Sequence, residues 1–260
     1  TSKSPANNLE KLAIKSALRP DFEYFESPSS RLQRSEQEIK QYTEEQFEIL
    51  DALAANRRVL IEGPAGTGKT LIAIENARRA SSEGKSTLLL CYNNTLAAWI
   101  TTLTESDKNI HVSTLHSLME RYRDPNHRFK NFRRGTYWTD ELPEVATLSA
   151  MSLDTPPYDC IVIDEAQDLI RENYLMFIDS ILKEGLESGT WTMLGDFENQ
   201  AIYTRDIDHM DILENQASFA RVGIRDNCRN TPDICDYVSS ITDLDPPYRK
   251  TRRQSNNHSP

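Results

Sequence analysis

"RVLIEGPAGTGKTLIAIENARRA", residues 58–80, joins an apolar run to a glycine-rich turn and then to a stretch with helical spacing. Within it, Gly63, Pro64, Ala65, Gly66, Thr67, Gly68, Lys69 and Thr70 satisfy the pattern G-x-x-x-x-G-K-[ST]. Glycines let successive backbone amides turn inward as an anion nest, and the N-terminus of a following helix adds partial positive charge. Lys69 is then placed to reach the β- and γ-phosphates of a nucleotide, and Thr70 to offer its hydroxyl to Mg²⁺. The stretch reads as a phosphate-holding turn between strand and helix, so the question is what the held nucleotide drives.

Outward from this turn, strand and helix signals alternate. "RRVLIEG", "STLLLCY", "IHVSTLH", "CIVIDEA" and "WTMLGD" read as strands; "GKTLIAIENARRASSEG", "TLAAWITTLT" and "NYLMFIDSILKEG" read as helices. The strands are near-continuous apolar runs, which suits a parallel sheet covered on both faces. The expected fold is α/β, a doubly wound parallel sheet with helices on both sides. Residues 1–30 read as a peripheral arm, 31–244 as the nucleotide-binding domain, and 245–260 as a disordered tail without apolar periodicity. Residues 120–157 break the rhythm and read as an insertion.

The chain has 260 residues, 38% hydrophobic and 27% charged, enough for one large α/β domain with a sizeable core. No apolar run approaches the ~18 residues of a membrane span. Cys91, Cys160, Cys228 and Cys235 form no C-x-x-C pair and read as reduced core thiols of a cytoplasmic protein. The net charge of −10 argues against a general polyanion binder, although a local basic groove can coexist with an acidic body.

A phosphate turn needs a second strand carrying carboxylates. "YDCIVIDEAQDL" supplies it: the apolar run 160–163 ends in Asp164-Glu165. Asp164 is expected to hold Mg²⁺ with Thr70, and Glu165 to polarise an attacking water, a group that a hydrolase requires. These residues are expected to converge with Lys69 at neighbouring strand ends around one metal–triphosphate.

With "DEAQD" (164–168) and "GPAGTGKT" (63–70) in hand, further pieces fall into a recognisable order. These are "YTEEQFEIL" (42–50), "LLLCYNNTLAAWI" (88–100), "VSTLHSL" (112–118), "TMLGDFENQAIY" (192–203) and "RDNCRNTPDI" (225–234). Together they resemble the motifs of UvrD/Rep-like superfamily 1 DNA helicases, in particular the branch whose longer members carry a nuclease-related domain. The resemblance covers roughly residues 18–240 and implies a RecA-like P-loop NTPase domain using ATP and Mg²⁺. It implies that Gln46 contacts adenine, although Thr43-x-x-Gln46 is also a capping box. It implies that Gln167 and Gln200 sense hydrolysis, and that Arg229 stabilises charge on the γ-phosphate, with a solvent-exposed arginine as the alternative. It places Tyr92, Asn94, His116 and Tyr203 along single-stranded DNA, with a satisfied core histidine as the alternative for His116. Tyr203 is followed by "TRDI", a departure from the pattern of many relatives.

The stretch "RYRDPNHRFKNFRRGTYW" (121–138) interleaves Arg121, Arg123, Arg128, Lys130, Arg133 and Arg134 with Tyr122, Phe129, Phe132, Tyr137 and Trp138. Cations for phosphates and rings for bases make a single-strand track, with Arg128 and Arg133 as the leading contacts. The alternative is a solvated basic face whose rings pack inward. The resemblance also implies a second RecA-like domain, supplied by the same or another chain, which does not appear in the sequence. A non-hydrolysing nucleotide-dependent module and a small-molecule P-loop kinase are the rival classes.

Overall fold

The computed structural model describes residues 47–123, 136–197, 209–242 and 248–252, all within one compact unit spanning Ile39–Pro260. Strands β1 (Arg58–Glu62), β2 (Thr87–Cys91), β3 (Ile110–Thr114), β4 (Cys160–Ile163), β5 (Thr190–Gly195) and β6 (Ala220–Gly223) form one sheet in the order β3-β2-β4-β5-β1-β6. Every pairing is parallel. The helices are α1 (Glu48–Leu53), α2 (Lys69–Ser82), α3 (Asn94–Leu103), α4 (Leu115–Tyr122), α5 (Leu142–Met151), α6 (Glu172–Ile181), α7 (Gly185–Ser188), α8 (His209–Gln216) and α9 (Pro232–Thr242). The expected α/β fold is the observed one.

The unbroken apolar runs follow from burial on both faces. Along β4, Ile161 and Ile163 join one core while Cys160 and Val162 join the other; along β1, Leu60 faces the first core and Val59 and Ile61 the second. Helices α4, α5 and α6 supply Leu118, Ala146, Phe177 and Ile178 to the first core. Helices α1, α2 and α3 supply Leu50, Ile72, Ala77 and Ile100 to the second. Each fully buried Leu or Ile side chain contributes about 1.5–3 kcal/mol by leaving water. The two cores therefore fix the register of the central strands, since a one-residue slip would exchange their faces.

Two stretches set apart in the sequence are partly in view. The stretch 120–157, read as an insertion, includes α5, which packs on α4 and α6 and adds Leu142, Ala146 and Ala150 to the first core. These positions follow helical spacing, but the basic and aromatic residues before them drew attention from it. In the stretch read as a disordered tail, β8 (Lys250–Thr251) pairs in parallel with β7 (Asp226–Asn227). The Arg252 guanidinium donates to Asp226 Oδ2 at 2.8 Å, and the Tyr248 hydroxyl donates to the Ala65 carbonyl at 2.8 Å. Polar side-chain contacts, not apolar periodicity, hold residues 248–252.

Because all strands of the main sheet run the same way, their carboxyl ends share one edge. β5 lies between β1 and β4, so the strands bearing the glycine turn and the carboxylates are not adjacent, contrary to the expectation from sequence. They stand two strand spacings apart, about 10 Å. The first turn of α2 crosses that gap and brings Thr70 to the end of β4.

Candidate nucleotide and metal site

The phosphate loop is shaped by two glycines in left-handed backbone, Gly66 at φ 90° and Gly68 at φ 85°. At Gly66 a side chain is also excluded by space, since a Cβ would stand 2.9 Å from Asn227 Oδ1. The fully buried Thr67 closes the turn by donating its hydroxyl to the Pro64 carbonyl at 2.9 Å. Gly68 precedes α2 without a side-chain cap, so the helix's first amides are left to the loop side. Lys69, also buried, donates its ammonium to the carbonyls of Gly63 (2.7 Å) and Pro64 (3.2 Å). The cation is thus held inside the loop that its sequence position promised.

Thr70 reaches from α2 to the end of β4, donating its hydroxyl to Asp164 Oδ2 at 2.6 Å. Asp164 is fully buried, and its Oδ1 has no hydrogen-bond partner among the described residues. Burial first, and then the charge of Glu165, push its carboxyl up to about 6, while Thr70 and Lys69 pull it down. A buried anionic oxygen without a donor is costly unless a cation meets it. The Thr70 hydroxyl and Asp164 carboxylate fit Mg²⁺, a hard ion bound by one or two protein oxygens with phosphate and water completing its shell. The described residues contain no cluster of three or more His, Cys, Asp or Glu able to hold a metal alone.

Glu165 follows in left-handed backbone at φ 54°, a conformation costing a non-glycine residue about 1–2 kcal/mol. The Gln167 amide donates to Glu165 Oε2 at 2.9 Å, and its carbonyl oxygen accepts from the Asp196 backbone N–H at 3.2 Å. The end of β5 admits this bridge because residue 195 is glycine: a Cβ there would lie 2.7 Å from Gln167 Oε1.

The segment after β6 fastens the loop from the other side. The Cys228 amide donates to the Gly66 carbonyl at 2.9 Å. Fully buried Asn227 accepts at Oδ1 from the amides of Arg229 (2.9 Å) and Asn230 (3.0 Å), an Asx turn that brings Arg229 to the loop. The Arg229 side chain is exposed, with its Cβ 3.3 Å from where a Cβ on Gly66 would be. Neither Asn227 nor Tyr248 was singled out from sequence; the asparagine two positions before Arg229 was the one available signal. Beside Gly63, whose own Cβ would strike Ile224, opens a cleft of about 330 Å³ lined by Glu48, Ile49, Ile224, Arg225, Asp226 and Arg249. A second cavity of about 290 Å³, lined by Leu50, Val59, Cys160 and Thr190, lies toward the amino ends of the strands and away from the loop.

The residues expected along a nucleic-acid strand are partly in view. Tyr92 is exposed just beyond β2. Asn94 opens α3, and its carbonyl oxygen accepts from the hydroxyls of Thr114 (3.3 Å) and Ser117 (3.4 Å). His116 is half-buried, its Nε2 3.0 Å from the Tyr174 hydroxyl and its ring edge-on to Trp138 and Tyr174. Burial and then the Arg171 charge hold its pKa below the usual histidine range. It therefore has protein partners, as its alternative reading required, while exposed Trp138 presents a ring beside it. Gln46, Arg128, Arg133, Gln200 and Tyr203 lie outside the described residues. All four cysteines are buried outside any disulfide, and burial chiefly pushes Cys91 up to about 12 and Cys160 up to about 11. No helix among the described residues is long and apolar enough to cross a membrane.

Comparison with known proteins adds a family. The profile described as PhoH-like protein matches residues 38–230. A PhoH-like protein of Mycobacterium tuberculosis is 28% identical over 220 residues, covering 82% of this chain and 56% of its own length. One from Mycobacterium leprae is 27% identical over 212 residues, covering 80% and 54%. The chain thus spans about half the length of these relatives. Among solved structures, a hypothetical ATP-dependent RNA helicase from Sulfolobus tokodaii is 15% identical with a TM-score of 0.41, covering 74% of this chain and 56% of that one. A DNA replication initiation factor is 11% identical with a TM-score of 0.33, covering 87% and 56%. At these scores neither likeness carries an argument about activity.

Proposed function

The chain belongs to the PhoH-like family of P-loop NTPases, and on that premise we propose that it is the ATP-binding motor domain of a UvrD/Rep-like superfamily 1 helicase. ATP hydrolysis by this domain is coupled to movement along single-stranded DNA. The carrying observation is the 2.6 Å contact of Thr70 with Asp164, whose second oxygen is buried without a partner among the described residues, next to Glu165. That arrangement supports hydrolysis as well as nucleotide capture.

In this reading the loop amides and Lys69 bind the phosphates, and the cleft at Glu48, Ile224 and Arg225 takes the base, with Gln46 just before α1 as its adenine contact. Thr70 and Asp164 hold Mg²⁺, which when bound neutralises the charge of the phosphate oxygens. Glu165 accepts a proton from the attacking water, and Arg229, aimed from its Asx turn, stabilises the charge that grows on the γ-phosphate. Gln200 completes the contact with the transferred group. Tyr92, Asn94 and His116, at the same sheet edge, track the DNA, and Tyr203, Arg128 and Arg133 are assigned to the same strand from sequence.

A second RecA-like body closes over this edge. The stripe Ile234, Tyr237, Val238 and Ile241 on α9, exposed at helical spacing just after Arg229, supports a covering partner there. The buried thiols fit a cytoplasmic setting. The test is Mg²⁺-dependent ATP turnover by the chain with and without single-stranded DNA. Stimulation by DNA supports the motor. Turnover requiring a small acceptor points instead to a kinase, and ATP binding without turnover to a nucleotide-dependent module.

A further inference from the structure

Side chains two residues apart in a helical turn do not ordinarily face each other. Glu165 and Gln167 do, because Glu165 adopts left-handed backbone immediately before the short 3₁₀ turn Ala166–Asp168. The turn is closed by Asp168 N–H donating to the Glu165 carbonyl at 3.2 Å and Leu169 N–H to the Ala166 carbonyl at 2.9 Å. The strained residue and the tight turn together bring the Gln167 amide to Glu165 Oε2. Gln167 also makes a second contact, at the tip of β5, where Gly195 gives its carbonyl oxygen room beside the Asp196 amide.

We propose that Gln167 is a positioning residue that fixes the Glu165 carboxylate for its work on water, using the end of β5 as its anchor. This rests on the hydrolytic reading of Glu165 and goes beyond a sensor role for Gln167, because it assigns the N–H₂ end of one carboxamide to Glu165, with Asp168 Oδ2 a longer 3.5 Å away, and the C=O end to Asp196. A carboxamide suits this role because its N–H₂ donates to a carboxylate while its C=O accepts from a backbone amide. The brace ties the geometry of Glu165 to the segment leaving β5, so a displacement of that segment moves the carboxylate.

Two substitutions separate the ends of the brace. Gln167→Glu keeps an acceptor for Asp196 N–H but sets an oxygen against Glu165 and Asp168; Gln167→Leu removes the contacts at both ends. The experiment measures kcat and KM for Mg·ATP in the full chain, alongside hydrogen exchange of the Asp196 amide and the thermal midpoint. A positioned general base is worth on the order of 10²–10⁴-fold in rate, so misplacing it is expected to lower kcat in both variants by about tenfold or more. KM should stay within about twofold, and Asp196 exchange should quicken in Gln167→Leu alone. A purely structural glutamine predicts the other pattern: Gln167→Glu, with its β5 contact intact, turns over like wild type, and that result overturns the inference. Parallel loss of KM and kcat overturns it too. A wild-type chain that binds ATP and never hydrolyses it removes the hydrolytic reading and this inference with it, whereas an active wild type matched by Gln167→Glu removes the inference alone.

Discussion

Asn227 offers the sharpest test of how the phosphate loop is held. Its side chain is fully buried, accepts from the amides of Arg229 and Asn230, donates to Cys235 Sγ at 3.5 Å, and touches the space beside Gly66. Asn227→Ala leaves two backbone amides without their acceptor, at about 1 kcal/mol each when water reaches them in part. Emptying the buried side-chain site adds roughly another 1 kcal/mol. The sum is about 3 kcal/mol, which in a domain of this size lowers the thermal midpoint by about 6–12 °C. The functional consequence is separate from the stability loss, because Asn227 sets the turn that carries Arg229 to Gly66. ATP affinity should therefore fall in Asn227→Ala and stay close to wild type in Leu186→Ala. That control empties a buried site on α7, remote from the loop, at about 2–5 kcal/mol. Thermal unfolding by circular dichroism and an ATP titration well below the midpoint read the two effects. An unchanged midpoint in Asn227→Ala, or equal ATP affinity in the two variants, refutes the reasoning.

Thr70→Val keeps the shape of α2 but removes the donor to Asp164; it is expected to abolish Mg²⁺-dependent stabilisation by ATP while metal-free nucleotide binding persists, as thermal shifts with and without a chelator would show. Phe177→Ala, emptying a fully buried ring site on α6, should cost about 3–5 kcal/mol in urea unfolding. His116 titrates below the usual histidine value because burial disfavours its cation, so the unfolded chain binds its proton first as pH falls. Its contribution to stability is complete above about pH 6.5 and is lost as pH drops through the lowered folded value. Asp164, pushed up to about 6, acts in the opposite sense, so the histidine effect is read as a difference. His116→Gln should gain on wild type in urea midpoint between pH 8 and pH 5. Arg128→Glu with Arg133→Glu is expected to weaken single-stranded DNA binding and flatten its salt dependence in a fluorescence titration; equal slopes would discard that track.

What the sequence disclosed and what it hid divide along a physical line. The glycine spacing of residues 63–70 and the apolar run ending in Asp164-Glu165 are local patterns, because a turn needing left-handed backbone and a strand buried on both faces constrain the residues in place. Both were legible, and the structure joins them through Thr70. The position of β5 between β1 and β4 was not legible, since strand order is decided by crossovers that leave no mark on any one strand. Helix α5 was obscured by composition, its apolar spacing following a run of arginines and rings. Asn227 and Tyr248 were missed because each acts on a residue far away in sequence, Asn227 at Gly66 and Tyr248 at Ala65. An asparagine and a tyrosine in polar surroundings carry no sign of such a partner.

That same division explains why the region past β6 matters to the nucleotide site. Ile224 abuts Gly63, the Cys228 amide donates to Gly66, and the Tyr248 hydroxyl donates to Ala65, so the loop is gripped at three points by residues that follow the sheet's last strand. Arg252 in turn neutralises Asp226, one residue from the asparagine that holds Arg229. A ligand that binds only the ordered loop stabilises everything that orders it, by RT ln(1 + [L]/Kd). Nucleotide affinity and the order of Ile224, Cys228 and Tyr248 are therefore linked in this fold. A partner that pulls on α9 or β8 would change the phosphate loop without touching it, because the loop's own residues supply only its inner face and the later segment supplies its outer wall.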